Sequence, residues 1–194
     1  MADISDRVRI DSEETLSKKK YWLRLVTFGW RRGDGQWQTL KREVYDKGNG
    51  AVILLHNTAR RSIVLIRQFR LPAYLNGYSE TLIEAPAGVL DGAAPEDRIR
   101  EEVSEETGYA IGAPRHLFDA FMSPGAFTDK LHFFAAEYDP AARPGAGGGL
   151  AEEGEDIEVF EIAFDDAYAM IADGRICDAK TIMLLQWAKG NVFG

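Results

Sequence analysis

Two apolar runs constrain this chain most. AVILLH (51–56) and SIVLIRQFR (62–70) are parted only by the polar link Asn57–Arg61. Neither alternates apolar with polar residues, as a strand wetted on one face would, and both are rich in β-branched residues. Both therefore read as strands buried in a sheet that is covered on its two faces. The 194 residues suffice for one such domain, with a small N-terminal extension.

The rest of the chain supplies the covering elements. YWLRLVTFGW (21–30) and WQTLKREVY (37–45), joined by RRGDG, read as a β-hairpin. Residues 1–19 are polar and read as loosely ordered. Leu71–Ser79 reads as loop and Glu80–Pro86 as a short strand. Further strands are expected at about 116–122, 131–138 and 157–163. Pro95 and Gly108 mark the start and stop of a helix over about 95–107. Two closing helices are expected, about 164–173, stopped by Gly174, and about 178–189, stopped by Gly190. Between the strands, Pro140–Asp156 is Gly-rich and then acidic, too flexible for a core element; a long loop of this kind is usually functional or disordered. The expected architecture is α/β (α+β), a mixed sheet with helices packed on it.

The helix over 95–107 is chemically odd. Glu101, Glu102, Glu105 and Glu106 crowd its second half. Like charges three or four apart repel, and carboxylates near a C-terminus oppose the helix dipole, each effect costing roughly 0.3–1 kcal/mol. A divalent cation reverses that sign. Helical spacing puts Glu102 and Glu106 on one face with Glu105 on its flank, while Ile99 and Val103 make a narrow apolar stripe beside them. Such oxygen ligands suit Mg²⁺, which can neutralise phosphate oxygens and acidify an attacking water. A solvated acidic face is the bland alternative.

Bulk properties narrow the partners. A formal net charge of −8 argues against nucleic acid and anionic membranes. The single cysteine, Cys177, allows no internal disulfide and reads as a buried small residue. No stretch reads as a signal peptide or membrane span, so a cytoplasmic location is expected. His56, His116 and His132 lie in expected strands without metal-ligand spacing and read as structural.

The stretch GVLDGAAPEDRIREEVSEETGY (88–109) resembles the box that marks the Nudix hydrolases. The match rests on Gly88, Glu102, Val103, Glu105, Glu106, Gly108 and, more loosely, Tyr109. The arginine position of the box holds Glu101, with Arg98 and Arg100 nearby to take its pairing role. The first glutamate position falls on Ala93 or Ala94, and the stretch before the helix is one residue short. The blocks KREVYDKGNGAVILL, VLIRQFRLPAYLNG, ETLIEAPAG, SPG, LHFFAAEY and EDIEV extend the likeness to the nucleoside-diphosphate-sugar branch.

The resemblance implies a Nudix fold, a mixed sheet sandwiched between helices over 49–194, preceded by an N-terminal antiparallel β-hairpin extension over 1–48. It implies metal-dependent cleavage of the pyrophosphate of a nucleoside diphosphate sugar. GDP-mannose, giving GMP and mannose 1-phosphate, is the first expectation; ADP-ribose, giving AMP and ribose 5-phosphate, is the alternative. A non-catalytic nucleotide-sugar sensor is a lesser one. The implied metal set is Mg²⁺, or Mn²⁺, on the Ala87 carbonyl, Glu102, Glu106 and Glu155. Glu105, Glu153 and Glu155 are the implied catalytic carboxylates. Tyr21, Lys41, Arg42, Glu43, Arg70, Asp129 and Lys180 are the implied substrate contacts. The resemblance also implies a homodimer with exchanged N-terminal strands, with which the aromatic hairpin is compatible.

Overall fold

A computed structural model describes residues 3–194, apart from the side chain of Glu153. The chain divides into two compact units, residues 1–49 with 121–130, and residues 50–120 with 131–194.

The first unit is an antiparallel sheet of three strands in the order β1 (Val8–Lys18), β2 (Trp22–Arg31), β3 (Trp37–Asp46). The hairpin of β2 and β3 is as expected. Its turn closes through Gly35 N–H donating to Arg32 O at 3.0 Å, with Gly35 at φ +83°. β1 corrects the expectation of a loose N-terminus. Most of its residues are exposed, so burial does not specify it. A backbone ladder from Val8↔Trp30 to Lys18↔Trp22 does, together with cross-strand pairs. Arg24 Nη1 meets Glu13 Oε2 at 2.8 Å, and Arg7 lies 4.4 Å over the Trp30 ring.

The second unit is built on β4 (Gly50–Asn57) and β5 (Ser62–Gln68), the two apolar runs. They pair antiparallel at the centre of a sheet ordered β10-β5-β4-β9-β8, with β8 at Arg115–Phe121, β9 at Lys130–Glu137 and β10 at Glu158–Ala163. β4 runs parallel to β9 and antiparallel to its other partners, so the sheet is mixed. Short strands β6 (Leu82–Glu84) and β7 (Ala87–Val89) add to β5 and β4.

Ala51, Ile53 and Leu55 pack on one face of β4 in a cluster with Ile99, Val103, Phe134 and Tyr138. Val52 and Leu54, which alternate with them, are as fully buried, so β4 is covered on both faces. Helices α1 (Leu71–Leu75), α2 (Pro95–Glu102), α3 (Phe164–Ala172) and α4 (Ala179–Asn191) complete the unit. α1 lies inside the stretch expected to be loop. α4 continues through Gly190, which was expected to stop it; Asp178 caps its start, its carboxylate accepting from Thr181 N at 3.0 Å. Cys177 is exposed, which corrects its reading as a buried residue. No helix among the described residues is long and apolar enough to cross a membrane.

Candidate active site

α2 is placed by its apolar stripe. Ile99 and Val103 are wholly buried in the cluster on β4, which fixes the rotation of the helix and turns Glu102 and Glu106 inward. The α-helical part ends at Glu102, and Val103–Thr107 continues as a π turn, a distortion often found at functional sites. Gly108, at φ +75°, closes it in the left-handed conformation expected of a cap.

Glu102 and Glu106 are only 6% and 1% exposed. Burial pushes the Glu102 carboxyl up to about 7; Arg98 pulls the other way, and the charges of Glu105 and Glu155 push with burial. Glu106 stands well above the usual carboxylate range. Burial is the main cause, then the charge of Glu102, partly offset by the Ala87 N–H that donates to Glu106 Oε2 at 3.0 Å. Two buried acids, the charge of one raising the pKa of the other, are poorly satisfied by the protein alone. Their donor set, hard carboxylate oxygens beside strand backbone, fits a hard divalent cation.

Gly88 is required here by close approach. A Cβ at this position would lie 1.5 Å from Glu102 Oε1, so only glycine leaves the carboxylate its place. Arg98, not Arg100, takes the pairing role vacated by Glu101 in the arginine position. Its Nη2 sits 2.5 Å from Glu102 Oε1 and 3.7 Å from Glu105 Oε2, while Nη1 reaches Glu101 Oε2 at 3.3 Å. Arg100 pairs with Asp97 instead.

The Gly-rich segment is not a free loop, which corrects the sequence reading. It lies across the end of the glutamate helix and satisfies carbonyls that a helix C-terminus leaves unpaired. Gly148 N donates to Glu106 O at 2.9 Å, Gly149 N to Glu105 O at 3.1 Å, and Gly145 N to Gly108 O at 3.2 Å. Arg143 Nε adds a bond to Thr107 O at 3.1 Å. The far end of the segment carries Glu155, half-buried, which accepts from Leu150 N at 2.9 Å and whose charge is felt by both Glu102 and Glu106. The side chain of Glu153 lies outside the described residues.

A second charged group forms around Glu84, which sequence reasoning missed. Its carboxylate is 1% exposed and grips Arg70 in bidentate fashion, at 2.7 and 3.0 Å, and Lys180 Nζ at 2.6 Å. Lys180 also meets Asp178 Oδ1 at 2.9 Å. Burial alone would raise the Glu84 pKa, but the two cations outweigh it and hold it below the ordinary value. The structure thus joins Arg70 and Lys180, expected separately as substrate contacts, through one buried acid. The signal was a charged residue ending an apolar strand just before the box glycine.

The remaining expected contacts lie in the first unit. Lys41, Arg42 and Glu43 are exposed on β3. Tyr21 stacks edge-on against Tyr45, with ring centroids 5.8 Å apart. Asp129 is buried beside Lys47 Nζ at 3.2 Å, and its Oδ1 has no hydrogen-bond partner among the described residues.

A family model described as the GDP-mannose pyrophosphatase NudK N-terminal domain matches residues 7–45, the span of β1 to β3. A GDP-mannose pyrophosphatase of Pectobacterium atrosepticum is 52% identical over 186 residues, 95% of each chain. The GDP-mannose pyrophosphatase of Escherichia coli K12 is 47% identical over 185 residues, 95% of this chain and 96% of that one. With the box residues gathered on β7, the end of α2 and its π turn, and likeness of this degree along nearly the whole length, the chain belongs to the GDP-mannose pyrophosphatase family of Nudix hydrolases.

Proposed function

We propose that this chain hydrolyses GDP-mannose to GMP and mannose 1-phosphate, one water adding across the P–O–P bridge. The observation that carries this reading is the pair of buried carboxylates, Glu102 and Glu106, under the Gly-rich segment. That its relatives are GDP-mannose pyrophosphatases favours GDP-mannose over ADP-ribose and over a sensing role without turnover.

Glu102, Glu106 and the Ala87 carbonyl hold Mg²⁺, with Mn²⁺ as the alternative, and Glu155 completes the set. A cation there neutralises phosphate oxygens and lowers the pKa of a water. Arg98 orients Glu102 and tempers its charge. One of the carboxylates Glu105, Glu153 and Glu155 takes the proton of the attacking water. Arg70 and Lys180 grip the pyrophosphate. Both are held on Glu84, so their positions are set before substrate arrives, and ordering them costs less on binding. Tyr21, Lys41, Arg42, Glu43 and the unpaired Oδ1 of Asp129 contact the base and sugar.

The N-terminal sheet has a further role, in a cytoplasmic homodimer with exchanged N-terminal strands. Ile10, Leu16 and Trp37 are 55%, 43% and 47% exposed, more apolar surface than a small sheet ordinarily leaves wet. A groove of about 360 Å³ lined by Val8, Ile10, Val26, Phe28 and Phe127 adds to it.

The test is release of GMP from GDP-mannose by the purified chain with and without EDTA, run in parallel with ADP-ribose. The expected outcome is metal-dependent GMP release with kcat/KM at least about tenfold above that for ADP-ribose, a difference of about 1.4 kcal/mol in transition-state binding. Equal or greater AMP release from ADP-ribose would reassign the substrate.

A further inference from the structure

The three histidines read as structural in sequence are not equivalent in space. His116 and Asp119 lie on β8, and His132 lies on the neighbouring β9. His116 Nε2 is 2.7 Å and His132 Nδ1 is 2.8 Å from the same oxygen, Asp119 Oδ1. The three ligand atoms all lie within 4.8 Å of one another. The His132 side chain is 16% exposed, and that of His116 is 47% exposed, so the group is anchored on one side and open on the other. The His116 ring is further fixed edge-on against Phe134, with centroids 5.4 Å apart.

Two imidazole nitrogens and a carboxylate oxygen converging on one point form the donor set of a zinc-like ion. Tetrahedral Zn²⁺, with bonds of about 2.0–2.1 Å, needs ligand atoms about 3.4 Å apart. Each imidazole–carboxylate pair, now at 2.7 and 2.8 Å, therefore has to open by about 0.6–0.7 Å, and the two imidazole nitrogens, within 4.8 Å of each other, settle to the same separation, to admit the ion. Imidazole selects Zn²⁺, Co²⁺ or Ni²⁺, whereas the all-oxygen set of Glu102 and Glu106 selects Mg²⁺ or Mn²⁺.

We infer that His116, Asp119 and His132 form a binding site for a divalent transition metal, Zn²⁺ foremost. It shares no residue with the carboxylates of α2. Three protein ligands leave a fourth position for water or an exogenous ligand. The bound ion ties the edge strand β8 to its neighbour β9. The site was not legible in sequence because its donors come from two strands and no short ligand motif joins them.

The test uses the untagged full-length chain, stripped with EDTA and dialysed, then titrated with ZnCl₂ by calorimetry in several millimolar MgCl₂ so that the carboxylate site is occupied. One saturable equivalent of Zn²⁺ is expected, with Co²⁺ giving the visible absorption of a nitrogen-ligated ion. Zn²⁺ at about a hundred times its Kd should raise the melting temperature by several degrees. His132→Gln and His116→Gln should each weaken Zn²⁺ at least about tenfold, while Glu106→Gln leaves it unchanged. His116 is largely exposed, so His116→Gln keeps the test sound even where His132→Gln disturbs packing. Absence of saturable Zn²⁺ binding in Mg²⁺, or binding insensitive to both histidine variants, or binding abolished by Glu106→Gln alone, would each overturn the site.

Discussion

Glu84 shows how one buried charge can organise a region that the box residues leave untouched. Its two oxygens are shared between Arg70 and Lys180, and Lys180 is shared in turn with Asp178 at the start of α4. A buried carboxylate is tolerated only when paired and hydrogen-bonded, and this one is. Glu84→Gln keeps the shape and removes the charge. It should raise KM for the nucleotide sugar about tenfold with a smaller effect on kcat, and lower unfolding stability by about 1–3 kcal/mol. Steady-state kinetics with urea unfolding checks both, and an unchanged KM would show that Arg70 and Lys180 do not depend on Glu84. At this scale the sequence revealed residue types but not partners. Glu102, Glu106 and Gly88 were legible because spacing alone places them. Arg98 could not be chosen over Arg100 without knowing which side of α2 faces the sheet. Glu84 could not be paired with Lys180, 96 positions away.

α2 and the segment laid over its end behave as one element. The helix was legible from Pro95, Gly108 and the stripe of Ile99 and Val103. Its last turn was not: Val103–Thr107 winds as a π turn, and no apolar pattern marks that change. β1 was missed for a related reason: ladder bonds and cross-strand charge pairs hold it, and neither leaves an apolar pattern. The element also predicts a pH dependence. Glu102 and Glu106 have folded-state pKa values above those of a free carboxyl. Such groups favour the fold at low pH and lose that contribution as pH rises through the folded value, about 7 for Glu102. In the metal-free chain the contribution of Glu102 should therefore fall between about pH 5 and pH 8, and that of Glu106 should fall in the same direction as pH rises. Mg²⁺ requires them ionised, so its stabilising effect should be larger at about pH 8 than at about pH 5. Thermal melts of wild type and Glu106→Gln with and without Mg²⁺ check this; a Mg²⁺ effect independent of pH would contradict it.

At the scale of the molecule, the chain is made of a unit centred on β4 and β5 and a unit built on a three-stranded N-terminal sheet. The apolar runs of β4 and β5 made the second unit legible, since strands apolar on both faces call for cover on both. The N-terminal unit was legible as a hairpin but not as a three-stranded sheet. Its exposed Ile10, Leu16 and Trp37 predict self-association. Light scattering at micromolar concentration should give twice the mass of the 21.6 kDa chain, and deletion of the N-terminal sheet should give a monomer with little turnover. A wild-type monomer would refute the exchanged dimer. The central claim, metal-dependent cleavage of a nucleotide sugar by the carboxylates of α2, is met most directly by one comparison. GMP release from GDP-mannose is measured for wild type and Glu106→Gln in Mg²⁺. The account predicts turnover by the wild type, abolished by EDTA, and a loss of about 10²–10³-fold in Glu106→Gln with the fold retained, in line with removing a group that stabilises transition-state charge. Equal turnover by the two proteins, or none by either, would contradict it.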